Sequence, residues 1–275
     1  MRRSLAVATP AAATLLVLAG CAGYQTPGEG PRDSAPISVP DALGTYRASG
    51  TVLESPDHGP QLCQFVATSY PPQCGGIDLV GWDWDSVDGV ESANGTTWGG
   101  PYEVTGTWDG DQLTLTEPPT VPGSEPPDLP DFATPCPEPP GGWQPVDPSK
   151  ADDNALNAAV IAANDRPDFA GLWLDGSIIN VRVTGDIAAA ERDLREIWGG
   201  ALCVSPAERT EEELMAVQNE ISDDAATIRM MSSSLDTETG TIEVQVVLDD
   251  GTLQATYDER YGPGLVRVTS WLQPA

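Results

Sequence analysis

The stretch Phe169–Asp186, FAGLWLDGSIINVRVTGD, decides the fold of the C-terminal half of this chain. Two runs rich in β-branched and aromatic residues, Phe169 to Leu174 and Ser177 to Thr184, flank Asp175-Gly176. That dipeptide suits a two-residue hairpin, whose central positions need positive φ. Asp186 then opens a helix reaching Trp198, with Ile187, Leu194, Ile197 and Trp198 on its apolar side and Gly199 as its stop.

Outward from the hairpin the same alternation of types continues. Asp152 to Ala163 is a helix by period, placing Leu156, Ala159, Val160 and Ala163 on one face. Ala201 to Val204 reads as a short buried strand, and Thr210 with Glu213 forms the capping-box pattern at the head of TEEELMAVQNEI. Thr241 to Leu248 alternates as a strand, Asp250 to Tyr261 is a helix stopped by Gly262, and Leu265 to Trp271 is a last strand. Residues 149–275 are therefore expected to form an α+β module, with helices packed on one face of an antiparallel or mixed sheet.

The first half reads differently. Thr45 to Leu53, Ile77 to Trp84, Tyr102 to Trp108 and Gln112 to Thr116 are short strand-like runs divided by turn signals, Asp109-Gly110 the clearest of them. Residues 41–117 are expected to be a small all-β module, an OB-like barrel or a sandwich. Its aromatic cluster of Trp82, Trp84, Trp98, Tyr102 and Trp108 is assigned to the core, with a carbohydrate-stacking platform as the alternative; Trp82 and Trp84 share parity and so one face of a strand. DWDSVDG, Asp83 to Gly89, mimics the start of a calcium loop. Its third Asp comes one residue late and its twelfth position is Asn94 rather than Glu, so it reads as a solvated acidic turn and no metal ligands are assigned.

Prolines punctuate the chain. Pro118 to Pro148 holds 12 of the 26 prolines, which excludes helix and marks residues 118–148 as a linker. Residues 21–40 have the Pro, Gly and Ser content of a flexible tether. No internal repeat shows at solenoid periods.

Residues 1–20 combine Arg2 and Arg3 with an uncharged run from Leu5 to Ala19, a targeting segment too short to span a bilayer. Leu18, Ala19, Gly20 and Cys21 resemble the lipobox of bacterial lipoprotein signals. The resemblance implies diacylglycerol on the Cys21 thiol, cleavage before that residue, and attachment to the extracytoplasmic face of the cell membrane. Four cysteines then remain, an even number in a compartment that permits disulfides. Three connectivities are open to Cys63, Cys74, Cys136 and Cys203; the favoured one joins Cys63 to Cys74 and Cys136 to Cys203. Their spacings do not match zinc ligand sets.

Loss of Arg2 and Arg3 leaves 11 basic against 42 acidic side chains, a formal charge of −31. Such a chain is a poor partner for nucleic acid, which demands a cationic patch. One lysine among the cations, with abundant Ala and Gly, fits a GC-rich genome. The chain as a whole resembles uncharacterised actinobacterial lipoproteins. FAGLWLDGSIINVRVTGD, ERTEEELMAVQNEI and SLDTETGTIEVQVV, taken in order, resemble elements of the propeptide domain that precedes α-lytic-type serine proteases. That resemblance covers about residues 168–275; it implies the fold, and a grip on a protease through a C-terminal segment.

Catalytic signatures are missing from the sequence. His58, the only histidine, sits in PDHGP without a serine elbow or a second base in its vicinity, and no phosphate-binding glycine loop occurs. No catalytic residues and no cofactor are assigned. The expected role is a non-catalytic binding module that uses the sheet of the second module or the linker cleft to engage another envelope protein. The alternatives are a free-standing inhibitor or folding helper of a secreted serine protease, and a carbohydrate-binding or hydrolytic envelope protein.

Overall fold

In the computed structural model, residues 44–123 and 132–275 are described. Cys21, the targeting segment and the tether lie outside them. The described residues are mostly β, with a closed five-strand barrel, two further sheets and four helices.

The barrel is built from β1 (Gly44–Ser55), β2 (His58–Cys63), β3 (Ile77–Val80), β5 (Thr96–Trp108) and β6 (Gln112–Leu115), with β4 (Glu91–Ala93) added at the rim of β5. β1 pairs with β2, β2 with β3, β3 with β6 and β6 with β5, and β5 closes back on β1. Every one of these pairings is antiparallel except β3 with β6. Alternation in β5 turns Tyr102, Val104 and Trp108 inward, where they meet Val52, Leu62 and Leu113. The hairpin at Asp109-Gly110 joins β5 to β6, its Asp109 carboxylate accepting the Asp111 and Gln112 amides at 2.9 Å.

Residues 153–270 repeat one order of elements twice. α1 (Asp153–Asn164), β7 (Phe169–Asp175), β8 (Ile178–Val183), α2 (Ile187–Arg195) and β9 (Leu202–Pro206) form the first unit. α3 (Glu211–Asp223), β10 (Met230–Asp236), β11 (Thr241–Val246), α4 (Thr252–Tyr261) and β12 (Val266–Ser270) form the second. In both, an antiparallel hairpin is followed by a helical crossover to a parallel third strand. Core positions correspond as well: Ile179, Val181 and Val183 of β8 play the part of Ile242, Val244 and Val246 in β11, and Ala190 and Leu194 that of Leu253 and Tyr257. The single sheet expected from sequence is thus two three-stranded mixed sheets, because each hairpin, crossover and third strand closes a core of its own.

Local signals start the helices. Asp152 and Asp186 accept the Ala155 and Ala189 amides at 2.8 and 3.1 Å, and Thr210 and Glu213 make both bonds of the capping box. The Pro-rich segment is tied down in its second half: Thr134 donates through N and Oγ1 to Asp175 Oδ2, Trp173 Nε1 donates to the Phe132 carbonyl, and Cys136 is joined to Cys203.

The C-terminus belongs to the barrel. β13 (Gln273–Pro274) pairs with β1, Gln273 opposite Arg47 and Pro274 opposite Tyr46. Trp271 and Leu272, with Val247 and Leu248, enter the barrel core, so the last unit and the barrel share one apolar cluster. Arg229 adds a polar seam, lying 5.4 Å over the Trp108 ring and paired with Asp111.

Candidate functional site

Cys63 ends β2 buried in the barrel wall, and its disulfide to Cys74 (Cα–Cα 6.1 Å) makes residues 64–73 leave and return at nearly one point. Gly76 then brings the chain back so close to the Leu62 carbonyl that a Cβ would collide with it. Inside the loop Ala67 N donates to the Gln73 carbonyl at 2.8 Å and Ser69 Oγ to the Pro71 carbonyl at 2.9 Å. Pro71 and Pro72 lock their own φ. The Tyr70 ring meets buried Trp98 edge-on, centroids 5.8 Å apart.

This fastened loop points apolar groups at solvent. Phe65 is 63% exposed, Val66 39% and Tyr70 75%. A scattered exposed apolar residue is ordinary, but three within six positions of a disulfide-closed loop form a patch. Beside it lies a cavity of 440 Å³ between the β1–β2 turn, the loop and the β4–β5 turn, lined by Asp57, His58, Gln73, Asn94 and Thr96 among others. His58 Nδ1 donates to the Gly59 carbonyl at 2.8 Å, which leaves Nε2 as the ring's acceptor when the imidazole is neutral. Asn94 and Gly95 take positive φ (53° and 85°) and make the two-residue turn between β4 and β5 that places Asn94 on this cavity.

Such an arrangement is suited to binding. Aromatic side chains held before a partner arrives lose little rotamer freedom on contact, which is where the affinity of rigid aromatic anchors comes from.

Of the residues singled out in the sequence, the four cysteines pair as Cys63 with Cys74 and Cys136 with Cys203. His58 lines the cavity beside the patch, paired with Ser55 across the β1–β2 turn. Trp82 and Trp84 do not share a strand face: Gly81 takes φ 86° and ends β3 at Val80, and Trp84 begins a 3-10 turn. They still pack on the barrel core, edge to face at 5.3 Å, with Trp84 Nε1 donating to Glu54 Oε2 at 2.7 Å. Asp83 of the calcium-like stretch caps that 3-10 turn through the Asp85 amide. Among the described residues no group of three or more His, Cys, Asp or Glu side chains is arranged to hold a metal. No helix among them is long and apolar enough to cross a membrane.

Phe65 and Tyr70 were not marked by sequence. Their signal was present: aromatic residues inside an 11-residue cysteine spacing, where the loop is too short to fold over them.

No protein-family model matches this sequence, and no curated protein is significantly similar to it.

Proposed function

We propose that the chain is a lipid-anchored protein of the extracytoplasmic face of the cell membrane, and that it acts as a non-catalytic binding module docking another envelope protein through the loop 64–73. The observation that carries this reading is the exposure of Phe65, Val66 and Tyr70 on a loop closed by Cys63–Cys74 and braced on Trp98. The barrel's strand order, with β3 and β6 as its parallel pair, supports the OB-like reading and makes the loop an elaboration of the β2–β3 connection. Cys21 serves as the anchor, and the acyl chains supply membrane attachment because the acidic chain gains nothing from anionic lipid.

Affinity capture from envelope extracts tests the reading, with the wild-type chain compared against the double variant Phe65→Ser, Tyr70→Ser. A protein retained by the first and lost from the second is the expected result. Equal retention by both removes the loop from the account. Recovery of a serine protease would move the reading to the folding helper or inhibitor. The resemblance favours that role, but its terminal grip lacks a free segment here, since Trp271 and Leu272 are buried in the barrel.

A further inference from the structure

Arg182 is the cation of β8, the penultimate residue of the strand, and its chain neighbours face the other way. Val181 and Val183 are buried in the first unit's core, so alternation along β8 sends Arg182 to the opposite face of the sheet, against the β10–β11 turn of the second unit. Two glycines allow that contact. Gly171, opposite Arg182 in β7, has φ 152° and would place a Cβ 3.1 Å from Thr237; at Gly240, φ 71°, a Cβ would come within 2.9 Å of Arg182 Nη1.

The guanidinium is only partly used. Nη1 donates to the Thr237 carbonyl at 3.2 Å. Among the described residues Arg166, Arg195, Arg209, Arg229, Arg260 and Arg267 each lie within 4 Å of a carboxylate; Arg182 does not, and it differs from Arg47 and Arg192, which also lack one, in being partly buried where they are exposed. In a chain with 42 acidic side chains that is a notable vacancy of counter-charge. Burial lowers the Arg182 pKa, and Asp236 and Glu208 oppose the shift from beyond contact distance. Asp236, the stronger of these two influences, already accepts the Glu238 and Thr239 amides at 2.9 and 3.1 Å.

The fork faces a pocket of 290 Å³ between the two units. Arg209 stands on its rim, its one carboxylate partner among the described residues being its neighbour Glu208 at 3.8 Å, whose side chain is 94% exposed. Thr239 and Thr241 supply hydroxyls, 2.7 Å from each other, and Gly264 and Leu265 close the far wall. We infer that this pocket is a receptor for a single carboxylate, bound by the Arg182 fork with help from Arg209 and the two threonine hydroxyls. A planar carboxylate matches the guanidinium's parallel donors. The volume suits one such group and its immediate attachment rather than a large ligand. Glu208 at the rim and the acidic chain around it disfavour a dianion such as phosphate. The carboxylate comes either from a peptide C-terminus or from an acidic side chain.

Arginine Nε–Hε spectra of the intact, arginine-labelled chain test the inference. The probes are N-acetyl-alanyl-alanine with a free C-terminus, N-acetyl-glutamic acid amide, and inorganic phosphate. The Arg182 signal, assigned by its loss in Arg182→Gln, is expected to shift saturably at millimolar concentration of at least one carboxylate. The preferred probe identifies a terminal or a side-chain source. No saturable shift with either carboxylate, or saturation by phosphate at lower concentration, overturns the assignment. Should Arg182→Gln not fold, the wild-type titration stands with Arg209→Gln, on the rim, which is expected to weaken carboxylate binding several-fold; unchanged binding overturns the role given to Arg209.

Discussion

Leu272→Ala tests how the chain is held together, because Leu272 is the residue through which the C-terminus enters the barrel. Its side chain is fully buried among Val52, Leu62, Val104 and Trp108, and its amide donates to the Val247 carbonyl at 2.9 Å. The substitution removes three carbons, about 2.4 kcal/mol at about 0.8 kcal/mol per buried methylene. A partly collapsed cavity raises the cost to about 3 to 4 kcal/mol. The backbone pairing of β13 with β1 survives the change, so the loss reports packing alone. Urea unfolding followed by tryptophan fluorescence reads it, Trp108 and Trp271 both lying in the affected cluster. The midpoint should fall with the slope unchanged. Deleting Leu272–Ala275 should cost more, since it also removes the Ala275 amide bond to the Thr45 carbonyl at 3.0 Å. A loss under about 1 kcal/mol for Leu272→Ala would show that the tail is a dispensable appendage, free for the partner grip that the propeptide resemblance implies.

Further outcomes are expected elsewhere. Tyr257 is 1% exposed and its hydroxyl has no hydrogen-bond partner among the described residues, so Tyr257→Phe should be neutral or stabilise by about 1 kcal/mol in thermal unfolding at neutral pH. Burial raises the Tyr257 pKa and pushes Tyr261 up to about 12, both from 10.0, so the folded chain keeps protons that the unfolded chain releases above pH 10; the contribution of these two tyrosines to stability should be constant below that pH and fall from there towards pH 12, less steeply in Tyr257→Phe. Reducing Cys136–Cys203, which spans 67 residues, should cost about 4 kcal/mol, against about 3 for the 11-residue Cys63–Cys74 loop, measured on the two paired Cys→Ser variants. Cys21→Ser should leave unprocessed precursor or released protein on fractionation; normal maturation and membrane retention would refute the lipobox reading.

What sequence conveyed was what neighbours in the chain determine. The β7–β8 hairpin, the caps at Asp152 and Asp186, and the capping box of Thr210 and Glu213 are local; the caps stand where their residues call for them, and the hairpin turns on Gly176-Ser177, one residue later than expected, because Asp175 still pairs with Ile178. The duplication was hidden because the two units share a burial pattern more than residue types: Leu194 answers to Tyr257, and a two-residue turn to a four-residue one. VTSWLQPA has the composition of a strand, but whether its end joins β12's sheet or the barrel is decided by residues more than 200 positions away, such as Ser49, whose carbonyl accepts Trp271 Nε1 at 3.3 Å. Parity misled at Trp82 and Trp84 since Gly81 breaks the strand between them and Val80. Asn94-Gly95 carried a strong hairpin signal that was read only as a position in a calcium loop. Exposure of Phe65 and Tyr70 is carried by the short Cys63–Cys74 spacing rather than by any alternation of residue types, and so is legible only once that pairing is applied to the loop.

The docking role of the 64–73 loop is tested most directly by a photo-crosslinking amino acid placed at position 65 in the chain expressed in its own envelope, with position 161 as control. Ile161 is equally exposed, at 61% against 63% for Phe65, but lies on α1 in the first α+β unit. Discrete adducts with another envelope protein at position 65 and not at position 161, lost when Tyr70→Ser is added, are the expected result. Identical adducts at both positions, or none at position 65, would contradict it.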